Sequence, residues 1–303
     1  MAIQYVPYQH IDKRKWDACI DNAGNGLIYA CSFYLDAMAK HWDALVLGDY
    51  EAVMPLTWNK KYGIHYLYQP FFTSCLGLFG NNISAALLND FLQQIPAKFK
   101  YWDIYLNHSN FFQLPGFELY QRMNYVLPLN DGYEKLQEAF RDNIKRNIKK
   151  AEKLNCVVKK NIAVEEVIGL AIEQSQQFSP VTKNDYDNFK KLYYLLRPQQ
   201  QAITYGVYTA ADMLVASCVF FFFKKRAYYI LAGNHPNGKT IGASHALINA
   251  FIKDYAGQNI LLDFEGSDIR NLAFFYSSFG AAEEKYVGLK YNGLPKLVKY
   301  FKK

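Results

Sequence analysis

Three kinds of reactive residue follow one another in the last quarter of this sequence. Lys239-Thr-Ile-Gly242-Ala243-Ser244 sets a cation, a glycine and a hydroxyl at the start of an apolar stretch. A helix opening there offers free backbone N–H groups and a partial positive charge, and glycine lets a phosphate come close to the backbone. Lys239 would add a point charge, and Ser244 a hydroxyl. The same residues also suit a plain loop-to-helix junction, with Gly242 in an unusual dihedral and Ser244 as the cap. Next come Asp263 and Glu265 at the end of an apolar strand over 259–264, where open α/β sheets place their sites. Period two puts both carboxylates on one face, and either could take a proton from an attacking ammonium. Capping the next helix, or pairing with Arg270, is the structural alternative. Tyr276 follows on a helix over 270–279 with Phe274, Phe275 and Phe279, either as a general acid for a leaving group or as a core aromatic with a wet tip.

Such a set needs a strand, a turn, a helix and a second strand to position it. Apolar patterning predicts strands at 3–8, 43–48, 51–58 and 64–68, the middle ones as a meander of antiparallel hairpins, with helices at 11–22, 32–41 and 84–95. Past Pro128 the pattern restarts. Helices at 132–155, with a break near Arg141, at 164–178 and at 184–196 lead into strands at 202–209, 214–223 and 227–231. Lys224-Lys225-Arg226 reads as a solvated hairpin turn.

The halves also resemble each other. Ile83-Ser-Ala-Ala-Leu-Leu-Asn-Asp-Phe91, followed by Tyr101-Trp-Asp103, parallels Ile241-Gly-Ala-Ser-His-Ala-Leu-Ile-Asn-Ala-Phe251, followed by Leu262-Asp263-Phe264. Two copies of one α/β unit are therefore expected, with domains at 1–130 and 131–303 and the last residues packing back on the first. Only the second copy keeps the Lys-x-x-Gly turn.

Bulk composition narrows the classes. The 303 residues are 51% hydrophobic and 17% aromatic, which excludes a disordered or collagen-like chain. The start has no basic segment followed by an apolar one, and the longest apolar run is far short of the roughly 20 residues that span a bilayer, so a cytoplasmic protein with no transmembrane segment is expected. Five scattered cysteines without a C-x-x-C pair, and six histidines without an i, i+4 pair, suggest neither a disulfide framework nor a metal site. His245, one turn into the candidate phosphate helix, is the histidine retained as a site candidate. The net charge of +7 is concentrated between Arg141 and Lys160 and in Lys296, Lys299, Lys302 and Lys303. Arg141, Lys145 and Lys149 recur at i+4 with Arg146, Lys150 and Lys153 beside them, a stripe able to neutralise RNA phosphates or simply to form a solvated helix face.

Taken together, these motifs resemble the GNAT acyltransferase superfamily. Lys239-Thr-Ile-Gly242-Ala243-Ser244 is similar to its Q/R-x-x-G-x-G/A pyrophosphate turn, and Tyr276-x-x-x-Gly280 to its tyrosine-to-glycine spacing. The tandem layout is similar to the FemABX-like group. Asn143-Ile-Lys-Arg-Asn147-Ile-Lys-Lys-Ala151 resembles the segment opening that group's second domain, and Asp263-Phe-Glu-Gly-Ser267 with Phe279-Gly280-Ala281 resembles its close. The resemblance implies two tandem GNAT-like domains of α/β class, each a mixed, mostly antiparallel sheet flanked by helices. It implies transfer of an acyl or aminoacyl group, from acyl-coenzyme A or a charged tRNA, to a small-molecule or peptide amine. Lys239, Gly242, Ala243 and Ser244 would hold the carrier, Asp263 or Glu265 would act as base, and Tyr276 as acid. Arg141, Lys145, Arg146 and Lys149 would meet a tRNA. The alternative is a non-catalytic module that uses the interdomain groove.

Overall fold

The segment Trp42-Asp-Ala-Leu-Val-Leu47, apolar almost without interruption and closed by Gly48-Asp49-Tyr50, becomes a strand buried on both faces. The computed structural model describes residues 2–175, 180–266 and 268–294. Expectations on 176–178, Ser267 and Lys296, Lys299, Lys302 and Lys303 lie outside the described residues.

The chain divides into two compact units, one running to Arg122 and resuming at Lys285, the other Met123–Glu284. In chain order the elements are β1 (Ile3–Val6), α1 (Lys13–Asn22), α2 (Ser32–Met38), β2 (His41–Leu47), β3 (Ala52–Lys61), β4 (Ile64–Tyr68), β5 (Phe79–Gly80), α3 (Ala85–Gln93), β6 (Phe99–Leu106) and β7 (Glu118–Pro128). Then come α4 (Tyr133–Glu138), α5 (Asp142–Lys153), β8 (Val157–Lys160), α6 (Val164–Ser175), α7 (Lys183–Leu196), β9 (Ala202–Tyr208), β10 (Leu214–Phe223) and β11 (Arg226–Asn234). The last are α8 (Pro236–Ile241), α9 (Ala243–Tyr255), β12 (Leu261–Asp263), α10 (Arg270–Ser277) and β13 (Ala282–Asn292).

In the first unit the strand order is β1-β2-β3-β4-β6-β13, with β5 on β3. In the second it is β8-β9-β10-β11-β12-β7. Each is a four-strand antiparallel meander followed by one parallel step, β4 to β6 across α3 and β11 to β12 across α9. An antiparallel strand from elsewhere in the chain completes each sheet, β13 beside β6 and β7 beside β12. The duplication therefore extends to register. Tyr68 pairs with Asp103 at the end of one parallel ladder, and Tyr228 with Asp263 at the end of the other.

Each unit buries its own core. Leu88, Phe91 and Leu92 of α3 pack with Leu45, Met54, Leu67 and Trp102 in the first. Leu247, Ile248, Phe251 and Ile252 of α9 pack with Ile144, Tyr205, Phe220 and Leu262 in the second. The break expected near Arg141 is real: α4 ends at Glu138, and α5 starts after Arg141 with Ile144, Ile148 and Ala151 buried. No helix among the described residues is long and apolar enough to cross a membrane.

Candidate functional site

The two parallel ladders end differently. In the first unit the space beyond Tyr68 and Asp103 is filled by the chain itself. Leu76 bridges to Leu106, its N–H donates to the Tyr105 carbonyl at 2.8 Å, and the Asn107 N–H donates to the Leu76 carbonyl at 2.8 Å. The side-chain amides of Asn25, Asn107 and Asn110 donate to the Leu78 carbonyl at 2.9, 3.1 and 3.1 Å. In the second unit β11 and β12 pair only over Arg226–Leu261, Ala227–Leu262 and Tyr228–Asp263. β11 then runs on beside β10 to Asn234, while β12 stops.

The helices that follow the diverging strands also differ. The first turn of α3 is closed by Ser84, whose hydroxyl accepts from the Leu87 N–H at 3.2 Å. The first turn of α9 has Gly242 at the N-cap and no side-chain cap. Of two equivalent helix starts, the first is closed by a side chain and the second is not, although the His245 N–H of α9 donates back to the Gly242 carbonyl at 3.1 Å.

The turn itself is tighter than its sequence suggests. Lys239, Thr240 and Ile241 are not an open loop but the end of the short helix α8, with Lys239 exposed. Gly242, at φ +80°, closes α8 and caps α9. A Cβ there would stand 2.4 Å from the Asn147 carbonyl oxygen of α5. Glycine is thus required by helix packing. Replacing Gly242 with alanine is expected to cost the free protein about 2–4 kcal/mol, the sum of left-handed strain and a forced helix shift. A midpoint of urea unfolding within error of the parent would contradict this. Ala243 is buried, and the Ser244 hydroxyl donates to the Asn234 side-chain oxygen at the end of β11, tying the turn to the diverging strand.

Asp263 is 4% exposed and already engaged. Its Oδ1 accepts from the Asn124 amide at 2.9 Å and from the Glu265 N–H at 2.8 Å, and its Oδ2 lies 3.2 Å from the Arg226 Nε. Arg226 in turn reaches both Glu284 oxygens, at 2.6 and 2.7 Å. Burial raises the Asp263 pKa, partly offset by the Arg226 charge and the two hydrogen bonds. Two expectations are corrected here. Asp263 pairs with Arg226, not Arg270, and Arg226 is not part of a solvated turn but 9% exposed within an ionic cluster. The expected alternation also stops early. β12 ends at Asp263, and Glu265 takes a left-handed φ of +65°, so period two does not carry through both carboxylates.

Tyr276 is 7% exposed and stacks on Phe264 with ring centroids 4.7 Å apart. Burial, then the nearby Glu265 charge, pushes its pKa well above that of a free phenol. The structure thus brings Glu265 and Tyr276 into electrostatic reach of each other. His245 sits edge-on to Phe275 at 4.9 Å, its buried Nδ1 unpartnered among the described residues, and burial lowers its pKa to about 4. It is neutral at ordinary pH.

The α5 stripe borders the same region. α5 packs on α8 and α9, and the Arg141 guanidinium lies 5.0 Å from the Phe274 ring centroid. Arg146, Lys149, Lys150 and Lys153 are exposed and have no ion-pair partner among the described residues. Lys145 donates to the Glu138 carbonyl at 3.3 Å.

No protein-family model matches this sequence, and no curated protein matches it. Solved structures do. FemX aligns over 99% of this chain and 99% of its own, with a TM-score of 0.67 at 12% identity. A conserved protein of unknown function from Bacteroides thetaiotaomicron aligns over 94% and 99%, with a TM-score of 0.60 at 12% identity. L-PGS from Bacillus licheniformis aligns over 95% and 94%, with a TM-score of 0.54 at 11% identity. At such identities the likeness is one of fold. The chain has a GNAT/FemABX-like fold.

Proposed function

We propose that the second unit transfers an acyl or aminoacyl group to an amine, with the activated carbonyl held where β11 and β12 diverge. The observation that carries this reading is the contrast between the duplicated ladders: one is plugged by Leu76 and capped by Ser84, the other is left unpaired and uncapped. Lys239 and the first turn of α9, at Ala243 and Ser244, take phosphate or carbonyl oxygen. The amine attacks the carbonyl carbon, the C–N bond forms, and Glu265 takes the ammonium proton. The bond to the carrier breaks, and Tyr276 protonates the leaving atom.

Two features favour a charged tRNA over acyl-coenzyme A as donor. Gly242 is occupied by its contact with Asn147, so the glycine does not offer an open pyrophosphate cradle. Tyr276, held protonated by burial, is matched to an ester oxygen, which leaves as a strong base, better than to a thiolate, whose conjugate acid has a pKa of about 8.5. The unpaired cations of α5 supply the contact to the RNA backbone.

The test is binding of aminoacyl-tRNA across a salt series. Arg146→Glu/Lys149→Glu/Lys150→Glu is expected to reduce the slope of log K against log salt by about 2–3. Acyl-coenzyme A is expected to leave the melting temperature unchanged. A Lys239-dependent rise in melting temperature with acyl-coenzyme A, and no tRNA binding, would move the donor to the thioester. Binding of neither would leave a non-catalytic module.

A further inference from the structure

The second unit contains a cavity at the other end of its strands. It is an open cleft of about 470 Å³ lined by Asn161, Arg197, Gln200, Ala202, Phe222 and Tyr255. Phe222 is paired with Ala227 at the start of β11, whereas the proposed transfer site lies beyond Tyr228 toward Asn234. Asn234 lies seven steps along the strand from Ala227, roughly 23 Å at about 3.3 Å per residue. The cavity is therefore distinct from the transfer site.

Its lining is chemically specific. The rings of Phe222 and Tyr255 form an apolar wall, with centroids 5.3 Å apart and planes inclined at 40°. Both rings are half-buried, and both stack on Phe251 of the core, at 6.2 and 4.5 Å between centroids. Four polar side chains stand around them. The Arg197 guanidinium, the Asn161 and Gln200 amides and the Tyr255 hydroxyl have no hydrogen bond or ion pair among the described residues. The backbone holds the two amides in place: Asn161 and Gln200 take left-handed φ of +56° and +58°, anchored by N–H donation to the Thr204 carbonyl at 2.8 Å and the Arg197 carbonyl at 3.0 Å. No carboxylate lines the cavity, and Arg197 is its one formal charge.

A single cation, two neutral amides able to donate and accept, and an aromatic wall match a planar ring with a hydrogen-bonding edge and one anionic group. Rings stack on aromatic faces, and guanidinium recognises phosphate by bidentate hydrogen bonds. We propose that this cavity is a second ligand site that binds a nucleoside monophosphate, the phosphate on Arg197 and the base against Phe222 and Tyr255. The site stands independently of the transferase reading.

The full chain, titrated with AMP and UMP and followed by tyrosine fluorescence and calorimetry, should saturate with one site. Arg197→Glu, on an exposed residue, is expected to weaken binding at least tenfold, and Tyr255→Leu at least fivefold. Circular dichroism confirms that each variant is folded. Lys239→Glu is expected to change nothing, which separates this site from nucleotide caught at the transfer site. The proposal is overturned by the absence of saturation at millimolar nucleotide, by inorganic phosphate competing as well as AMP, or by binding that is lost with Lys239→Glu and kept with Arg197→Glu.

Discussion

Replacement of Arg226 by methionine is expected to destabilise the protein by about 3–5 kcal/mol, the usual cost of stripping a buried charge of its partner. Arg226, Asp263 and Glu284 are 9%, 4% and, at the Glu284 side chain, 19% exposed, and one guanidinium serves both carboxylates. Removing it leaves two anions facing each other, with the Asn124 amide donating to both and the Glu265 N–H to Asp263. The structural consequence falls on the diverging strands. Arg226 opens β11, Asp263 closes β12 and Asn124 belongs to β7, so the cluster joins three neighbouring strands. The triple change Arg226→Met/Asp263→Asn/Glu284→Gln removes all three charges and is expected to recover more than half of the loss, because the damage lies in the unpaired carboxylates and not in a missing attraction. Urea unfolding of the parent, the single and the triple variant decides. A single variant within about 1 kcal/mol of the parent would show that the carboxylates are relieved by water and that the cluster does not pin the strands.

Much of the architecture was legible because periodicity and turn residues report local structure directly. The helix expected at 84–95 is present as α3 behind Ser84, β4 spans the expected 64–68, and the parallel between Asp103 and Asp263 reappeared as equivalent register. What was not legible depended on contacts between distant segments. Arg226 follows two lysines and reads as a solvated turn; only the pairing of β11 with β12 shows that its guanidinium is enclosed. Gly242 reads as a phosphate contact because glycine permits both a ligand and a helix to come close, and the neighbour that decides, Asn147, lies 95 residues earlier in the chain. Glu265 was placed by strand alternation that the left-handed turn interrupts. The plug at Leu76, which distinguishes the two copies, carries no motif, since it is made by backbone bonds and by asparagines that resemble loop residues.

Glu265→Gln is expected to slow transfer by about 100- to 10,000-fold, the range lost when a positioned general base is removed. Asp263 spends its oxygens on Arg226, Asn124 and the Glu265 N–H, and so holds the Glu265 backbone in place instead of exchanging protons. Tyr276→Phe keeps the ring against Phe264 and removes only the hydroxyl. Its stability is expected to stay within about 0.5 kcal/mol of the parent, while transfer falls about 10- to 1,000-fold with an ester donor. The pH profile provides the sharper readout. Because the folded-state pKa of Tyr276 is raised, its acid form persists as pH climbs, and the rate is expected to hold through pH 10, where an unperturbed phenol would be half ionised. Single-turnover transfer from aminoacyl-tRNA to a surrogate amine, measured from pH 6 to pH 11, tests both residues. Full activity in Glu265→Gln would return the base to Asp263 or to the substrate itself, and an alkaline limb falling below pH 10 in the parent but absent in Tyr276→Phe would mean that the phenol titrates near its ordinary value and that burial does not protect the acid.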